Sequence, residues 1–261
     1  MSFSDKIKLQ LYIKKLKYKK IKRDKKTITS DYDVGIWNKK YEDIDFESIP
    51  GMYGKDVNST SLFVKDNKIF KGKYSDYTEK FQNQLFSIIS KYAYDYPIVE
   101  LGCGLGANLF QLHKRKFKNL EGYDISENAI QLAKRHSIKK GYKIKFDVLD
   151  LTKSLPNGVI ENKIVFTNTC LEQLKHSMPR VLQNILKGKP KLVINFEVDY
   201  DSSDSLVKDY FDACDYQNNF VSELKNMKKQ INIESINLLP LSLSPLNRLS
   251  SIIWKPIEVI S

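Results

Sequence analysis

Short apolar segments alternate with amphipathic segments through the second half of the chain. Ile98, Val99 and Leu101 predict a short buried strand, and Leu109 and Leu112 belong to the apolar face of a helix that follows it. Further strands are predicted at residues 120–126, 144–148, from 163, 191–197, 231–238 and 249–254, with helical segments between most of them. This alternation is typical of an α/β protein.

A glycine-rich turn connects the first of these strands to its helix. Gly102, Gly104 and Gly106 leave room for a ligand against bare backbone, and the helix N-terminus directs amide N–H groups at it. Residues 102–107 also fit a dinucleotide fingerprint, Gly-x-Gly-x-x-Ala. Glu100 distinguishes a dinucleotide site from a site for a ligand with a cationic amino-acid group. A carboxylate at the mouth of the turn would repel a pyrophosphate but suits the cationic group.

The first 30 residues carry most of the positive charge. Of the net charge of +12, residues 1–30 contribute +9, from eleven Lys/Arg against two Asp. Ile7, Leu9, Leu11 and Ile13 alternate at period two, and as a helix they would divide between opposite faces, which makes a poor membrane-surface amphipath. We interpret this segment as a packed or solvated basic arm, with attraction to anionic lipid, nucleic acid or a polyanionic glycan as alternatives.

The segment between the arm and the glycine turn is predicted to be irregular at first and helical later. Residues 31–60 mix aromatic and acidic residues and are predicted to be an irregular or short-helical segment, and Asp66-Asn67 predicts a hairpin turn. A helix is predicted to begin at Ser75, with Ser75-Asp76 as its cap, and to end before Pro97. These boundaries suggest a basic arm at 1–30, a lid or helical segment at 31–96 and a catalytic domain at 97–261.

The spacing of cysteines and histidines and the length of the apolar segments restrict the class of protein. Cys103, Cys170 and Cys214 lack metal-ligand spacing, and the three histidines form no cluster, so no metal site is expected. No apolar run of ~20 residues and no signal peptide are visible. We therefore expect a cytoplasmic protein, and the Lys/Ile/Asn-rich composition favours a bacterial source.

Several strings resemble motifs of class I S-adenosylmethionine-dependent methyltransferases. Glu100-Leu-Gly-Cys-Gly-Leu-Gly106 resembles the first motif, Gly-Tyr-Asp124-Ile-Ser the second, and 163–174 the fourth-strand motif Asp-Leu-Val-x-Ser-x-x-Leu-Glu-His. In the last motif this chain has Lys163 in place of Asp and Gln173 in place of His. The resemblance implies a Rossmann-like, seven-stranded, mostly parallel sheet with an antiparallel final strand. It also implies S-adenosyl-L-methionine as cofactor and S-adenosyl-L-homocysteine as product.

The resemblance also implies roles for individual residues. Glu100 and the glycines would hold the methionine end of the cofactor. Asp124 lies at the sequence offset where an acid meets ribose hydroxyls in nucleotide-binding α/β folds, Ile125 would pack on the adenine, and Asp150, with Asp147 as rival, would accept from the adenine amino group. The candidate cofactor-binding residues are Glu100, Gly102, Cys103, Gly104, Gly106, Asn108, Asp124, Ile125, Asp150, Leu151, Thr167, Asn168, and, as lid residues, Tyr74 and Tyr77.

Catalytic residues are harder to predict, because the sulfonium carries most of the reactivity of methyl transfer. The nearest candidate bases by topology are His176, Glu172 and Glu197, each of which also has a purely structural interpretation. An amine or a phosphate-type oxygen needs little base, and the absence of His at position 173 fits such acceptors.

We expect an enzyme that methylates oxygen or nitrogen of a small-molecule or saccharide-type acceptor, with a phosphorylated or capsule/glycan precursor of polysaccharide biosynthesis as one form. The alternative is an RNA or protein methyltransferase that binds its anionic substrate through the basic arm. Nucleic acid is not favoured, because Thr167-Asn-Thr-Cys170 replaces the Asn/Asp-Pro-Pro-aromatic string of base-methylating enzymes. Peripheral membrane contact through the arm and a non-enzymatic cofactor-binding role are further alternatives.

Overall fold

The computed structural model of the protein describes residues 3–31, 46, 47, 56, 58–93 and 95–257. The segment at 31–60, predicted to be irregular, lies mostly outside the described residues. None of the helices found within these ranges is long and apolar enough to cross a membrane.

A mixed sheet forms the centre of the described chain and confirms the predicted fold. Its seven strands, among the residues described, lie in the order β5-β4-β3-β6-β7-β10-β8. The pairs from β5 to β7 are parallel, and β10 is antiparallel to both β7 and β8. The strands are β3 (Ile98–Leu101), β4 (Leu120–Asp124), β5 (Ile144–Val148), β6 (Ile164–Asn168), β7 (Leu192–Val198), β8 (Ile231–Leu238) and β10 (Leu249–Pro256).

Helices cover both faces of this sheet. Every residue of β3 and β7 is buried, as expected for central parallel strands packed on two sides. One face packs against α1, α3, α4, α5 and α7, and the other against α6 and α8. The helices are α1 (Phe3–Tyr18), α2 (Lys25–Thr29), α3 (Tyr74–Ser90), α4 (Ala107–Lys114), α5 (Glu127–Lys140), α6 (Met178–Lys187), α7 (Ser205–Ala213) and α8 (Phe220–Asn226), with a 3₁₀ helix at Leu171–Ser177.

A small antiparallel sheet, order β2-β1-β9 in the described chain, stands beside the central one. Strands β1 (Thr60–Lys65) and β2 (Lys68–Lys73) form the predicted hairpin, with Asp66 and Asn67 at φ values of +48° and +65°. These positive φ angles at both central residues suit a tight hairpin turn. Strand β9 (Leu241–Ser242) was not predicted, because two residues carry no periodicity.

Helix α3 follows β2 directly and differs from its predicted start. It begins at Tyr74, and its N-cap residue Lys73 provides no side-chain cap. The Ser75 hydroxyl donates to Asp76 instead of capping the helix, at 3.1 Å. The prediction of a Ser75-Asp76 cap was therefore wrong. Strand β2 ends at Lys73 and the helix begins at the next residue, so Ser75 and Asp76 already lie inside its first turn.

The basic arm is helical and packs against α7. Ile13 and Leu16 of α1 are buried in the core shared with α7, and Lys17 Nζ lies 2.8 Å from Asp209 Oδ1. The period-two alternation therefore did not produce a strand. One of the two apolar faces of α1 packs against α7, and the other is exposed to solvent.

Arg23, which follows α1, anchors this part of the chain to residues 214–216. Its side chain is buried, its backbone N–H donates to Asp215 Oδ2 at 2.9 Å, and its Nε donates to the Cys214 carbonyl at 3.2 Å. The guanidinium also lies over the Tyr216 ring and pairs with Asp31. A guanidinium that is buried but paired and hydrogen-bonded in this way fixes the position of its backbone.

Candidate functional site

A cavity opens at the carboxyl ends of the parallel strands, where the strand order reverses. Strand β3 lies between β4 and β6, and the chain winds outward from it in both directions, which leaves a crevice at this edge. Residues at the ends of β3, β4 and β6 and in the turns after β3, β4, β5 and β6 line it, together with the start of α4, the 3₁₀ helix and one residue of α2. The lining residues are Ile28, Glu100, Gly102, Cys103, Gly104, Ala107, Asn108, Asp124, Ile125, Leu149, Asp150, Leu151, Asn168, Thr169, Cys170, Gln173 and Leu174.

The turn after β3 needs glycine for two different reasons. Gly102 has φ +74°, and a Cβ at this position would lie 2.1 Å from Cys170 Sγ, so its absence lets the loop after β6 approach. Gly106, the N-cap of α4 at φ +84°, is not a lining residue; a Cβ there would lie 2.7 Å from the Phe146 ring. Gly106 therefore serves packing, and Gly102 shapes the cavity.

The Glu100 carboxylate is the most unusual group in the cavity wall. It is 1% exposed, and its Oε1 accepts a hydrogen bond from Asn108 Nδ2 at 2.7 Å. Among the described residues no donor reaches Glu100 Oε2, Asn108 Oδ1 or Asn168 Oδ1, all of which are buried. Burial raises the pKa of Glu100 to about 8, and nearby Asp124 adds to the effect. Such a wall offers several acceptor atoms to a ligand that donates hydrogen bonds.

Asp124 ends β4 and is held in place by two backbone amides. Its Oδ2 accepts from the Gly104 N–H at 2.8 Å and its Oδ1 from the Ser126 N–H at 2.9 Å. Ser126 in turn caps α5 by accepting from the Ala129 N–H at 3.0 Å. The carboxylate lies in the cavity wall next to Ile125, and its position depends on both the glycine turn and the helix cap.

The turn after β5 supplies a second acid to the cavity wall. Asp150 lines the cavity between Leu149 and Leu151, and its Oδ1 accepts from the Thr152 N–H at 3.0 Å. Asp147, the rival in sequence, lies within β5 and is exposed; its carboxylate accepts from the Val148 N–H. The structure thus brings Asp150, and not Asp147, to the cavity.

The end of β6 and the loop after it divide their residues between the cavity and the core. Asn168, Thr169 and Cys170 line the cavity, whereas the Thr167 hydroxyl is fully buried and accepts from Asn195 Nδ2 at 2.9 Å. Thr167 therefore lies behind the cavity wall. Its side chain belongs to the opposite face of the strand, as alternation along β6 requires.

The three candidate bases lie outside the cavity wall. Glu197 Oε1 accepts from the Cys170 and Leu171 N–H groups at 3.0 and 3.1 Å, and so fixes the loop after β6. Glu172 is buried and accepts from Gln173 Nε2 at 3.1 Å and from Asn247 Nδ2. His176 is half-exposed, with its Nε2 2.8 Å from Asp215 Oδ2. Each has a structural contact instead of a place in the wall.

Tyr74 and Tyr77 occupy a different part of the molecule from the one expected. Both rings pack on Phe63 of the hairpin, with centroid distances of 5.5 and 4.9 Å, and Tyr77 also contacts Phe70. Neither is a lining residue of the cavity. The aromatic cluster at the start of α3 holds the small sheet against that helix.

Sequence reasoning missed seven of the lining residues; six of them adjoin predicted wall residues or the motif after β6, and the seventh comes from the arm. Ile28 of α2 lines the cavity, although it stands alone among polar residues in Lys-Lys-Thr-Ile-Thr-Ser. A capping signal could have predicted α2: Asp24 Oδ1 accepts from the Thr27 N–H at 2.9 Å. No signal in the sequence connects Ile28 with the cavity, because the connection depends on the burial of Arg23.

Comparison with known proteins places the fold. Residues 94–238 match the family model described as a methyltransferase domain. The PH0226 protein from Pyrococcus horikoshii OT3 is similar, with 14% identity, a TM-score of 0.54 and coverage of 69% of this chain and 91% of that one. No curated protein matches the chain in sequence.

Two solved methyltransferases share the fold. Geranyl diphosphate C-methyltransferase from Streptomyces coelicolor A3(2), in complex with Mg²⁺, geranyl diphosphate and S-adenosyl-L-homocysteine, has 11% identity, a TM-score of 0.54 and coverage of 71% and 81% of the two chains. Magnesium protoporphyrin IX methyltransferase from Synechocystis PCC 6803, with bound S-adenosylhomocysteine, has 13% identity, a TM-score of 0.53 and coverage of 71% and 87%. The acceptors in these two names, geranyl diphosphate and magnesium protoporphyrin IX, are those of the two solved proteins and are not assigned to this chain.

The buried carboxyls predict that the ligand-free protein loses stability as the pH rises from 6.5 to 8.5. Burial raises the pKa of Glu172 to about 8 and of Glu197 to about 7. Because unfolded carboxyls ionise near pH ~4.3, the folded state binds more protons between there and pH 8, and stability falls with pH. Thermal unfolding should show a decreasing Tm, and Glu172→Gln should flatten the slope. A Tm that stays constant or rises would contradict the burial of these acids.

The close approach of Gly102 and Cys170 predicts a large difference between two glycine substitutions. Gly158 has φ +75°, nearly that of Gly102, but nothing lies within 4 Å of a Cβ built there. Gly158→Ala should cost only the left-handed backbone term, about 1–2 kcal/mol. Gly102→Ala should cost roughly a further 1–3 kcal/mol, because the methyl group displaces Cys170. Urea unfolding measures both, and equal losses would show that the loop after β6 does not contact the turn.

Proposed function

This chain belongs to the methyltransferase-domain family, and we propose that it transfers the methyl group of S-adenosyl-L-methionine to a small-molecule or saccharide-type acceptor. The observation that carries the proposal is the cluster of buried acceptor atoms on Glu100, Asn108 and Asn168 in the cavity wall. They match the ammonium of the amino-acid end of that cofactor, which can donate three hydrogen bonds. A nicotinamide dinucleotide would bring a pyrophosphate to the same turn, where the Glu100 carboxylate opposes it.

Other wall residues suit the nucleoside end. Asp124 is oriented by two backbone amides, and a carboxylate has acceptor sites for more than two donors, so it can also receive the hydroxyls of a ribose. Ile125 and Leu151 offer apolar surface for an adenine ring, and Asp150 offers an acceptor for its amino group. When bound, the cofactor would supply a methyl group on a sulfonium: the acceptor atom would bond to the methyl carbon as the carbon–sulfur bond breaks, with S-adenosylhomocysteine as the leaving group. The chain's own residues then orient both molecules and exclude water.

The acceptor end of the proposed site favours a small molecule. Thr169, Cys170, Gln173 and Leu174 provide uncharged wall, and Ile28 of the arm adds an apolar residue from a separate element. A wall contributed by the arm, which Arg23 fixes, suits an acceptor that enters the cavity whole. A flipped base on a long polymer would need an open approach.

The chemistry of the wall favours an acceptor that needs no base. The ionisable residues among those that line the cavity are Glu100, Cys103, Asp124, Asp150 and Cys170. Burial raises the pKa of both thiols well above the ordinary value, so both stay neutral, and the three acids are used for the cofactor in this proposal. The acceptor atom therefore presents its own lone pair at neutral pH. An amine or a phosphate-type oxygen, for example on an amino sugar or a sugar phosphate, meets this condition.

The state of Glu100 predicts how cofactor affinity depends on pH. With its pKa raised to about 8, Glu100 must release a proton before it can pair with the ligand ammonium. Between pH 6 and 7 the affinity for S-adenosylhomocysteine should rise nearly tenfold per pH unit, since the ligand amine, with a pKa of about 7.7–8.0, stays protonated there. Titration calorimetry should record the release of about one proton per ligand bound.

Glu100→Gln provides the matching variant. It keeps the shape of the side chain and should lose at least tenfold in affinity at pH 7.5, together with the pH dependence and the proton release. Asp147→Asn removes an exposed carboxylate of β5 outside the cavity and should bind like the wild type. If Glu100→Gln binds S-adenosylhomocysteine as tightly as the wild type, with the same pH profile, the ammonium does not lie at Glu100.

A methyl-transfer screen tests the acceptor. Pairs of amino sugars and their parent sugars, sugar phosphates and their unphosphorylated forms, an RNA pool and basic peptides should be compared at equal concentration. We expect turnover of the amine or phosphate member of a pair and little turnover of the hydroxyl member, because the described wall residues offer no base beyond the acids that the cofactor would use. Turnover confined to RNA or peptide would overturn the small-molecule assignment while leaving the methyltransferase assignment intact.

A further inference from the structure

Helix α1 presents an apolar ridge to solvent. Ile7, Leu11 and Tyr18 are 39%, 60% and 75% exposed. They are four and seven residues apart, which places them on one face of an α-helix. We call these three residues the α1 ridge.

The opposite face of α1 is already occupied. Ile13 and Leu16 are buried, and Leu9 packs against the same core. Tyr12 stacks on Tyr210 of α7 with ring centroids 6.4 Å apart. The helix is therefore held at a fixed rotation with the α1 ridge outward. The two opposite apolar faces, which make α1 a poor amphipath in isolation, become one packed face and one free face on the folded protein.

Lysines accompany the α1 ridge. Lys8, Lys14 and Lys15 are exposed and, at about 100° per residue, project within roughly 80° of the ridge on its two sides. Lys19, Lys20 and Lys22 are also exposed and follow the helix, and residues 1–30 carry a net charge of +9. An apolar strip flanked by cations is the arrangement that inserts at the boundary of an anionic lipid surface.

We propose that α1 docks this protein on an anionic membrane surface through the α1 ridge and its flanking lysines. The lysines contact lipid phosphates, and the three apolar side chains enter the acyl boundary. A nucleic acid would use the lysines but would leave the α1 ridge exposed to water, since its affinity comes from phosphate contacts. The proposal rests on the arm alone and is independent of the proposed methyl transfer.

Docking at α1 would act close to the cavity along the chain. Tyr18 ends the α1 ridge, and Ile28, ten residues later, lines the cavity. Arg23 lies between them and is fixed to the catalytic domain by Asp215 and Cys214. The membrane-facing helix and a wall of the cavity are thus parts of one short, anchored segment.

Vesicle co-sedimentation with the full chain tests the proposal. The probe is vesicles of phosphatidylcholine with 30% phosphatidylglycerol, compared with phosphatidylcholine alone, at low and physiological salt. We expect binding to the anionic vesicles only, weakened by salt. Leu11→Gln should reduce the partition coefficient at least tenfold. Ile138→Gln is the matched control, because Ile138 is 80% exposed on α5 beside Lys139 and Lys140, and it should bind like the wild type.

Three outcomes would overturn the proposal. The first is no binding to anionic vesicles by a wild-type chain whose circular dichroism shows it to be folded. The second is vesicle binding that Leu11→Gln leaves unchanged, which would show that the arm binds through non-specific charge alone. If the chain also binds an RNA pool more tightly than the vesicles, the arm would be assigned to nucleic acid. The third is a dimer in light scattering that Leu11→Gln dissociates, which would assign the α1 ridge to a second copy of the chain.

Discussion

The proposed site depends on a buried carboxyl group that no lysine or arginine of the described chain contacts. Glu100 lies in a strand covered on both faces, and its one hydrogen-bond donor among the described residues is the Asn108 amide. Removing an ionised carboxylate from water is costly unless a charge or several donors compensate, and the raised pKa of Glu100 is the consequence. In the proposed function, the architecture around Glu100 keeps this acceptor in place for a ligand that brings a positive charge.

The neighbouring elements are arranged around that acceptor. Gly102 lets the loop after β6 come close enough for Asn168 to join the same wall, and Glu197 holds that loop from beneath through two backbone amides. Asp124 ties the glycine turn to the end of β4. Glu197 and Glu172, which sequence reasoning placed among candidate bases, act in the structure as buried supports of the loop and the 3₁₀ helix. We propose that these acids contribute positioning and not proton transfer.

Local patterns predicted the sheet well because its central strands are buried on both faces and separated by clear turn signals. Asp124 and Asp150 could be assigned to the edge of the sheet because Asp124 ends β4 and Asp150 follows β5 by two residues, and the carboxyl ends of parallel strands meet there. Ile28, Tyr74 and Tyr77 could not be assigned in this way. Their positions depend on long-range contacts, of Arg23 with Asp215 and of both tyrosines with Phe63, that leave no periodic signal. Thr167 differs from Asn168 only by one step along β6, and a one-residue step reverses the face.

The central claim is that the wall of Glu100, Asn108 and Asn168 receives an ammonium group. A crystal structure of the protein with S-adenosylhomocysteine tests it most directly. The account predicts the ligand amino nitrogen within hydrogen-bonding distance of Glu100 Oε2, with the ribose hydroxyls at Asp124. A ligand that lies elsewhere, or that turns its carboxylate or its adenine toward Glu100, would contradict it.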